Sequence, residues 1–429
     1  MQNDYDQLME AMLGMEIIDT HEHLPSEENR LASSPDFNTM FGHYCGGDLL
    51  AAGMSGAELE AFRGSSTPVP DKWRLFEPFY NLIRDGSYSR AAHIAMDKFY
   101  GLSELNSLAD AELLTERIRE ANKPGLYKRV LKDACKIRVS MNFGAIEDDR
   151  EFFAPVMNVV GYSEVSRGVI RELEDSFGVS CATLTAYVDA VRKRLLQLKE
   201  QGMKGIKFHF AYMRDLDFAP RTLAEAEPLF IRATEEGYGW RYASLGYEES
   251  RPLQDYMVHR LVEIAGELDV PAVFHTGLQG TIDQCADDSR PLRLWNLPHR
   301  YRKTDFVVLH SGFPWMEDAA LLAKQFPNVY LDLAWAHLMS PTIASRRLET
   351  WVDLVPMHKV FGFGGDYCVV EKVYGHLTLA RQNIARAFAK KIDEGALTLD
   401  RAKAWIQAML WDNPNRVFRL DAFTEQTGR

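Results

Sequence analysis

The chain has 429 residues, enough for one large barrel or about two to three ordinary domains. Apolar residues make up 46% and charged residues 26%, the mixture of a soluble protein with a large core. A formal net charge of -12 excludes the basic footprint that nucleic-acid phosphates require, and no run of about 18 apolar residues is present to span a bilayer.

Five cysteines (Cys45, Cys135, Cys181, Cys285 and Cys368) are scattered without a Cys-x-x-Cys, as free thiols in a reducing compartment would be. Met1 to Glu10 is polar and acidic, unlike a secretory leader. The expectation is a cytoplasmic protein that acts on a small molecule as a homo-oligomer, with no nucleic-acid or membrane partner.

In chain order, the first apolar β-branched run, Ile17-Ile18, leads into Asp19-Thr20-His21-Glu22-His23. Residues two apart in a strand share a face, so both imidazoles converge on one point, and neutral imidazole is the commonest metal ligand. Asp19 falls on the same face and is expected to orient His21 through its second ring nitrogen, or to bond backbone at the barrel mouth. Glu22, between the histidines, is expected to point away. An irregular stretch, Pro25 to about Gly64, follows. Helical patterning then runs to about Gly125, with Trp73, Phe76, Phe79, Tyr80 and Ile83 near a period of 3.6. Arg84 and Arg90 lie in this part, either on a solvated face or in a cap whose arginines clamp an anionic substrate group.

From Cys135 the rhythm becomes that of short strands: Ile137–Ser140, Phe152–Met157, and Gly205 to His209, with a long helix from Leu184 to Gln201 before the last. A loop-rich interval is expected to about Gln254. Thereafter one unit repeats. Val270–Phe274 leads into His275-Thr276-Gly277, Phe306–Leu309 into His310-Ser311-Gly312, Val329–Leu333 into Trp335 and His337, and Val360–Phe363 into Gly364-Gly365-Asp366. Alternating strands and helices predict an α/β fold with about eight parallel strands, a distorted (β/α)8 TIM barrel with a helical insertion after strand 1. An open doubly wound sheet is the alternative, disfavoured because no Gly-x-Gly-x-x-Gly follows the first strand. The division expected is a single barrel domain over 1–429 with a helical insert or lid at about 38–128.

Strand C-termini of a barrel open on one face. His21, His23, His275, His310 and Asp366 would therefore meet there, three or more nitrogens and a carboxylate suited to zinc, manganese, iron or nickel. Lys207, ending the fourth strand, would bind an anionic substrate group. His209, Trp335 and His337 are further candidates to contact substrate, with core packing as the alternative.

Together these motifs resemble the amidohydrolase superfamily, in particular its amidohydrolase-2 branch of decarboxylases and lactone or amide hydrolases. The tail Ile406 to Leu420, with Trp411-Asp412-Asn413-Pro414, is similar to that branch's closing helix. The resemblance covers residues 14 to 24 and about 200 to 420, and uronate isomerase-like enzymes are more distant relatives. It implies a metal-dependent hydrolase of an amide, lactone or ester, with a decarboxylase or sugar-acid isomerase as alternatives. It implies His21, His23 and His275 as ligands of one divalent ion rather than two, zinc first. Asp366 would be a ligand or the proton acceptor, and His310 a second ligand or, at a one-metal site, a catalytic group near the substrate oxygen. Lys207 would line the pocket or, carbamylated, bridge two metals.

Overall fold

The computed structural model describes residues 2–143, 149–235, 247–280 and 283–421. Eight short runs rich in Val, Ile and Phe form parallel strands paired in strict sequence order. They are β1 (Ile17–Glu22), β2 (Ile137–Asn142), β3 (Phe153–Asn158) and β4 (Gly205–Phe208), then β5 (Ala272–His275), β6 (Phe306–Leu309), β7 (Val329–Asp332) and β8 (Val360–Phe361). Nearly every strand residue is buried, as expected where helices cover one face of a sheet and the other lines a barrel.

The barrel closes through the segment after β8. Thr20 N–H donates to the Phe363 carbonyl at 3.1 Å, Asp366 N–H to the His21 carbonyl at 2.7 Å, and His23 N–H to the Tyr367 carbonyl at 3.1 Å. These bonds lay the Gly364–Tyr367 turn beside the end of β1. The predicted barrel is thus present, with helices between β1 and β2 as the insertion.

Three expectations change. The stretch from Pro25 to Gly64 is not irregular; it holds four short helices, among them Gly56–Arg63, whose start is fixed by Ser55 and Glu58 in reciprocal capping bonds. The interval to Gln254 holds the helices Leu223–Glu235 and Tyr247–Glu267, and its residues 236–246 lie outside the described ones. Internal prolines, Pro228 and Pro252, disguise these helices, but Ala226, Phe230 and Ala233 recur at helical spacing on a buried face. The closing segment is also broken, into Leu399–Gln407, a wide turn over Ala408–Asp412, and Asn413–Phe418.

The insertion has its own apolar cluster, drawn from Phe37 to Ile118 and including Trp73, Phe76, Tyr80 and Ile83 of the helix Val69–Ile83. It is fastened to the barrel along the helix Val370–Asp393. Gly375 permits the closest approach: a Cβ there would lie 1.9 Å from the Ala91 carbonyl oxygen of the helix Ser87–Tyr100. A buried polar tie stands beside it, with Glu371 Oε1 accepting from Arg30 Nη2 at 2.8 Å and from the Tyr100 hydroxyl at 2.7 Å.

Candidate active site

At the C-terminal mouth of the strands lies a cavity of about 580 Å³. His21, His23, Lys207, His209, His275, His310 and Asp366 line it, joined by Phe143, Asn158, Tyr212, Cys368 and, from the insertion, His43 and Tyr44. His21, His23 and Asp366 each offer one ligand atom, all within 4.8 Å of one another. Asp366 Oδ1 is the hub, 3.1 Å from His21 Nε2 and 3.5 Å from His23 Nε2, while Oδ2 is 3.8 Å from His310 Nδ1.

His275 stands one imidazole farther back. Its Nδ1 is 3.0 Å from His310 Nε2, and its Nε2 is 3.1 Å from the Leu278 carbonyl oxygen. His310 Nδ1 in turn is 3.0 Å from the Ala334 carbonyl oxygen. This row of contacts has a proton deficit. Both outer nitrogens face carbonyls and must carry hydrogens, so the inner contact needs a third proton that two neutral rings do not hold. Yet burial pushes His310 down to about 4 and His275 well below the usual histidine range, with the His310 ring adding to the effect on His275.

Burial likewise lowers His21 well below its ordinary value, helped by the Lys207 charge, and lowers His23. Neutral imidazole is the form that ligates metal. Asp366 stays below the usual carboxylate range against the cost of its burial, because His21, His310 and His23 surround it. Buried neutral imidazoles, one carboxylate and a row of hydrogen bonds short of one positive charge fit a divalent cation. The His21 Nδ1 atom is buried without a hydrogen-bond partner. Asp19 is not that partner: its Oδ1 accepts from the backbone N–H groups of His21 and Gly365, and Oδ2 from the Ser140 hydroxyl. The register slip between Asp19 and Glu22 on β1 explains why strict alternation fails there. Glu22 does point away, accepting from Tyr367 N–H at 2.7 Å.

Lys207 is buried with its ammonium 4.6 Å from the centre of the Phe143 ring. Burial pushes it down to about 7, against the pull of Asp366 and Asp332. Asp332, at the end of β7, is an addition to the expected set; its Oδ1 accepts from the Thr20 hydroxyl at 2.9 Å and from Ala334 N–H at 2.8 Å. His310, Trp335 and Asp366 all adopt positive φ, 59°, 60° and 57°, so the turns after β6, β7 and β8 hold strained backbone at the cavity.

Other candidates fall elsewhere. Trp335 lies beneath the cavity, stacked on Tyr44 at 4.6 Å between ring centres and edge-on to His310. His337 is turned into the core, its Nε2 3.0 Å from the Gly362 carbonyl oxygen. Arg84 is paired with Glu104 on the insertion, and Arg90 is exposed; neither lines the cavity. Arg84 caps the end of the helix Val69–Ile83, and Arg90 lies on the exposed side of the helix Ser87–Tyr100. His43 and Tyr44 escape sequence reasoning, since they follow no strand end; Asn158, closing β3, and Tyr212, in the turn after β4, have the same kind of signal as His275.

A parallel barrel with imidazoles and a carboxylate gathered at its strand ends defines a class, the metal-dependent barrel enzymes. The chain belongs to the amidohydrolase family, whose model, described as Amidohydrolase, matches residues 171–420. Protein fluG of Emericella nidulans is 27% identical over 230 residues, which are 52% of this chain and 26% of that protein. The chain thus matches about a quarter of that relative's length. Among solved structures, a uronate isomerase from Thermotoga maritima is similar with a TM-score of 0.78 and 15% identity, covering 97% of each chain. A glucuronate isomerase from Caulobacter crescentus gives 0.79 and 16%, covering 98% of this chain and 94% of the other. These likenesses are of fold. Among the described residues, no helix is long and apolar enough to cross a membrane.

Proposed function

We infer that the chain is a metal-dependent hydrolase that opens an amide, lactone or ester bond of a small anionic substrate with activated water. The observation that carries this reading is the convergence of His21, His23 and Asp366 within 4.8 Å at the barrel mouth. Those three side chains would hold one divalent cation, zinc first, with His275 adjoining behind His310. Bound there, the cation would supply Lewis acidity that polarises a carbonyl and lowers the pKa of water toward about 7.

The chain's own groups do the remaining work. Asp366 takes a proton from the attacking water. His310, anchored on the Ala334 carbonyl with its Nδ1 3.8 Å from Asp366 Oδ2, is the catalytic group that would face the substrate oxygen. Among the described residues Lys207 is the one lysine or arginine lining this cavity, and it meets the substrate's anionic group. Tyr44, half-buried and stacked on Trp335, walls off water.

A sugar-acid isomerase is the second reading, favoured by His43 and Tyr44 reaching the cavity from the insertion and by the whole-chain likeness to two isomerases. The test is metal content after growth with added metal, followed by turnover over a library of lactones, N-acyl amino acids, carboxylic acids and uronates. The reading expects about one equivalent of metal and acid release without carbon dioxide. Asp366→Asn should lower turnover by about a hundredfold or more. Less than a tenth of an equivalent of metal, or full turnover by Asp366→Asn, sinks it. Turnover confined to uronates establishes the isomerase instead.

A further inference from the structure

A second cavity, of about 330 Å³, lies on the insertion side and shares one wall residue, Cys368, with the first. Among the described residues its charged lining is Arg30, Arg63 and Lys72 against a single carboxylate, Asp36. Two of these cations are matched. Lys72 Nζ is 2.6 Å from Asp36 Oδ2 and Arg30 Nη2 is 2.8 Å from Glu371 Oε1, both pairs buried.

Arg63 is placed differently. Its Nε donates to the Gly42 carbonyl at 2.8 Å, and the nearest carboxylate, Glu60, is 3.9 Å away with its side chain 79% exposed. Such a contact in water contributes little. The side chain lies in a cradle made for it: a Cβ on Gly46 would sit 2.3 Å from Arg63 Nη2. The cradle is the turn that carries His43 into the first cavity. At the junction of the two cavities stands one side-chain contact, His43 Nε2 to Cys368 Sγ at 3.7 Å.

We propose that the second cavity takes the distal carboxylate of the substrate, with Arg63 as its partner and the His43–Cys368 contact as the threshold, so that the preferred substrate is a small acid charged at both ends. The proposal rests on the reading of the first cavity as the place where the reacting end binds. A guanidinium offers a planar fork that matches a carboxylate, and its weakly held, exposed counterion leaves that fork available. Lys72–Asp36 and Arg30–Glu371, each closed on itself, supply a fixed wall instead of competing for the ligand.

Cys368 is itself the reporter. It is exposed, and so is Cys285, which lines neither cavity and serves as the internal reference. The metal-supplemented full chain is treated with iodoacetamide and both cysteines are followed by peptide mass spectrometry. Succinate, glutarate and adipate are compared with butyrate at equal ionic strength. At least one dicarboxylate should slow alkylation of Cys368 about fivefold at about four times its dissociation constant, with Cys285 unchanged. Butyrate should protect far less. Arg63→Gln should abolish the protection, and Arg63→Lys, which keeps the charge without the fork, should retain part of it. Thermal unfolding of both variants separates lost binding from lost fold, and Arg63→Lys alone decides if Arg63→Gln does not fold. Equal protection by butyrate, protection that survives Arg63→Gln, or no protection by any of these acids overturns the proposal. Metal content and turnover judge the first cavity separately, so a metal-loaded, active enzyme without protection refutes the second cavity alone.

Discussion

Asp332 gives a quantitative handle on the barrel mouth. Burial raises its carboxyl from the ordinary 3.8 to about 7, more than the Thr20 and Ala334 hydrogen bonds can offset. A carboxyl with a raised folded-state pKa binds protons more tightly when folded than when unfolded. Stability therefore falls as pH rises between about 4 and about 7 and stays low above that window. A rise of this size corresponds to about 4 kcal/mol, an upper figure for a fully buried group. Asp332→Asn keeps an acceptor for Thr20 and Ala334 and removes the titration. It also puts an amide where Oδ2 is buried without a partner, a constant cost of about 1–3 kcal/mol. The assay is urea unfolding of chelator-treated protein at several pH values from 4 to 8. The difference between wild type and variant should shift by up to about 4 kcal/mol in the variant's favour from the acid end to pH 8. Parallel curves for the two proteins would refute the assignment of a buried, titrating carboxyl at the end of β7.

Two more expectations concern the join between insertion and barrel. Glu371→Gln leaves the buried Arg30 guanidinium without its counterion and should destabilise the protein by about 3–5 kcal/mol, read from the urea midpoint. Gly375→Ala forces a methyl group against the Ala91 carbonyl and should cost about 1–3 kcal/mol by overpacking. Limited proteolysis should then cut first between Glu27 and Ala121 while the barrel survives; unchanged cleavage would argue that the two helices slide apart without strain.

Much of the site was legible because strand ends carry it. His21, His23, His275, His310 and Asp366 follow apolar runs, and a parallel barrel brings all such ends to one face. Their exact grouping was not legible. His275 meets His310 rather than Asp366, a matter of side-chain direction that spacing does not encode. Asp332 hid inside an apolar strand pattern. His43, Tyr44 and Arg63 belong to an insertion folded around its own apolar cluster, so their position depends on packing between elements distant in sequence. Arg84 and His337 show the converse: suitable residue types in suitable segments, one turned to Glu104 and the other into the core.

The closure of the barrel has a consequence for biosynthesis. Glu22 and Tyr367 are bonded across 345 residues, His21 meets Asp366 over the same span, and His23 meets it over nearly as long a one. A nascent chain carries His21 and His23 out of the ribosome long before their carboxylate exists. Loop closure of that length is entropically costly and slow to form. A cation bound by both ends would then act as a clasp, fastening the first strand to the last turn once translation has passed Asp366. Pulse-labelled chains truncated before residue 366 are expected to retain no tight metal, and metal retention becomes a marker of the final step of folding.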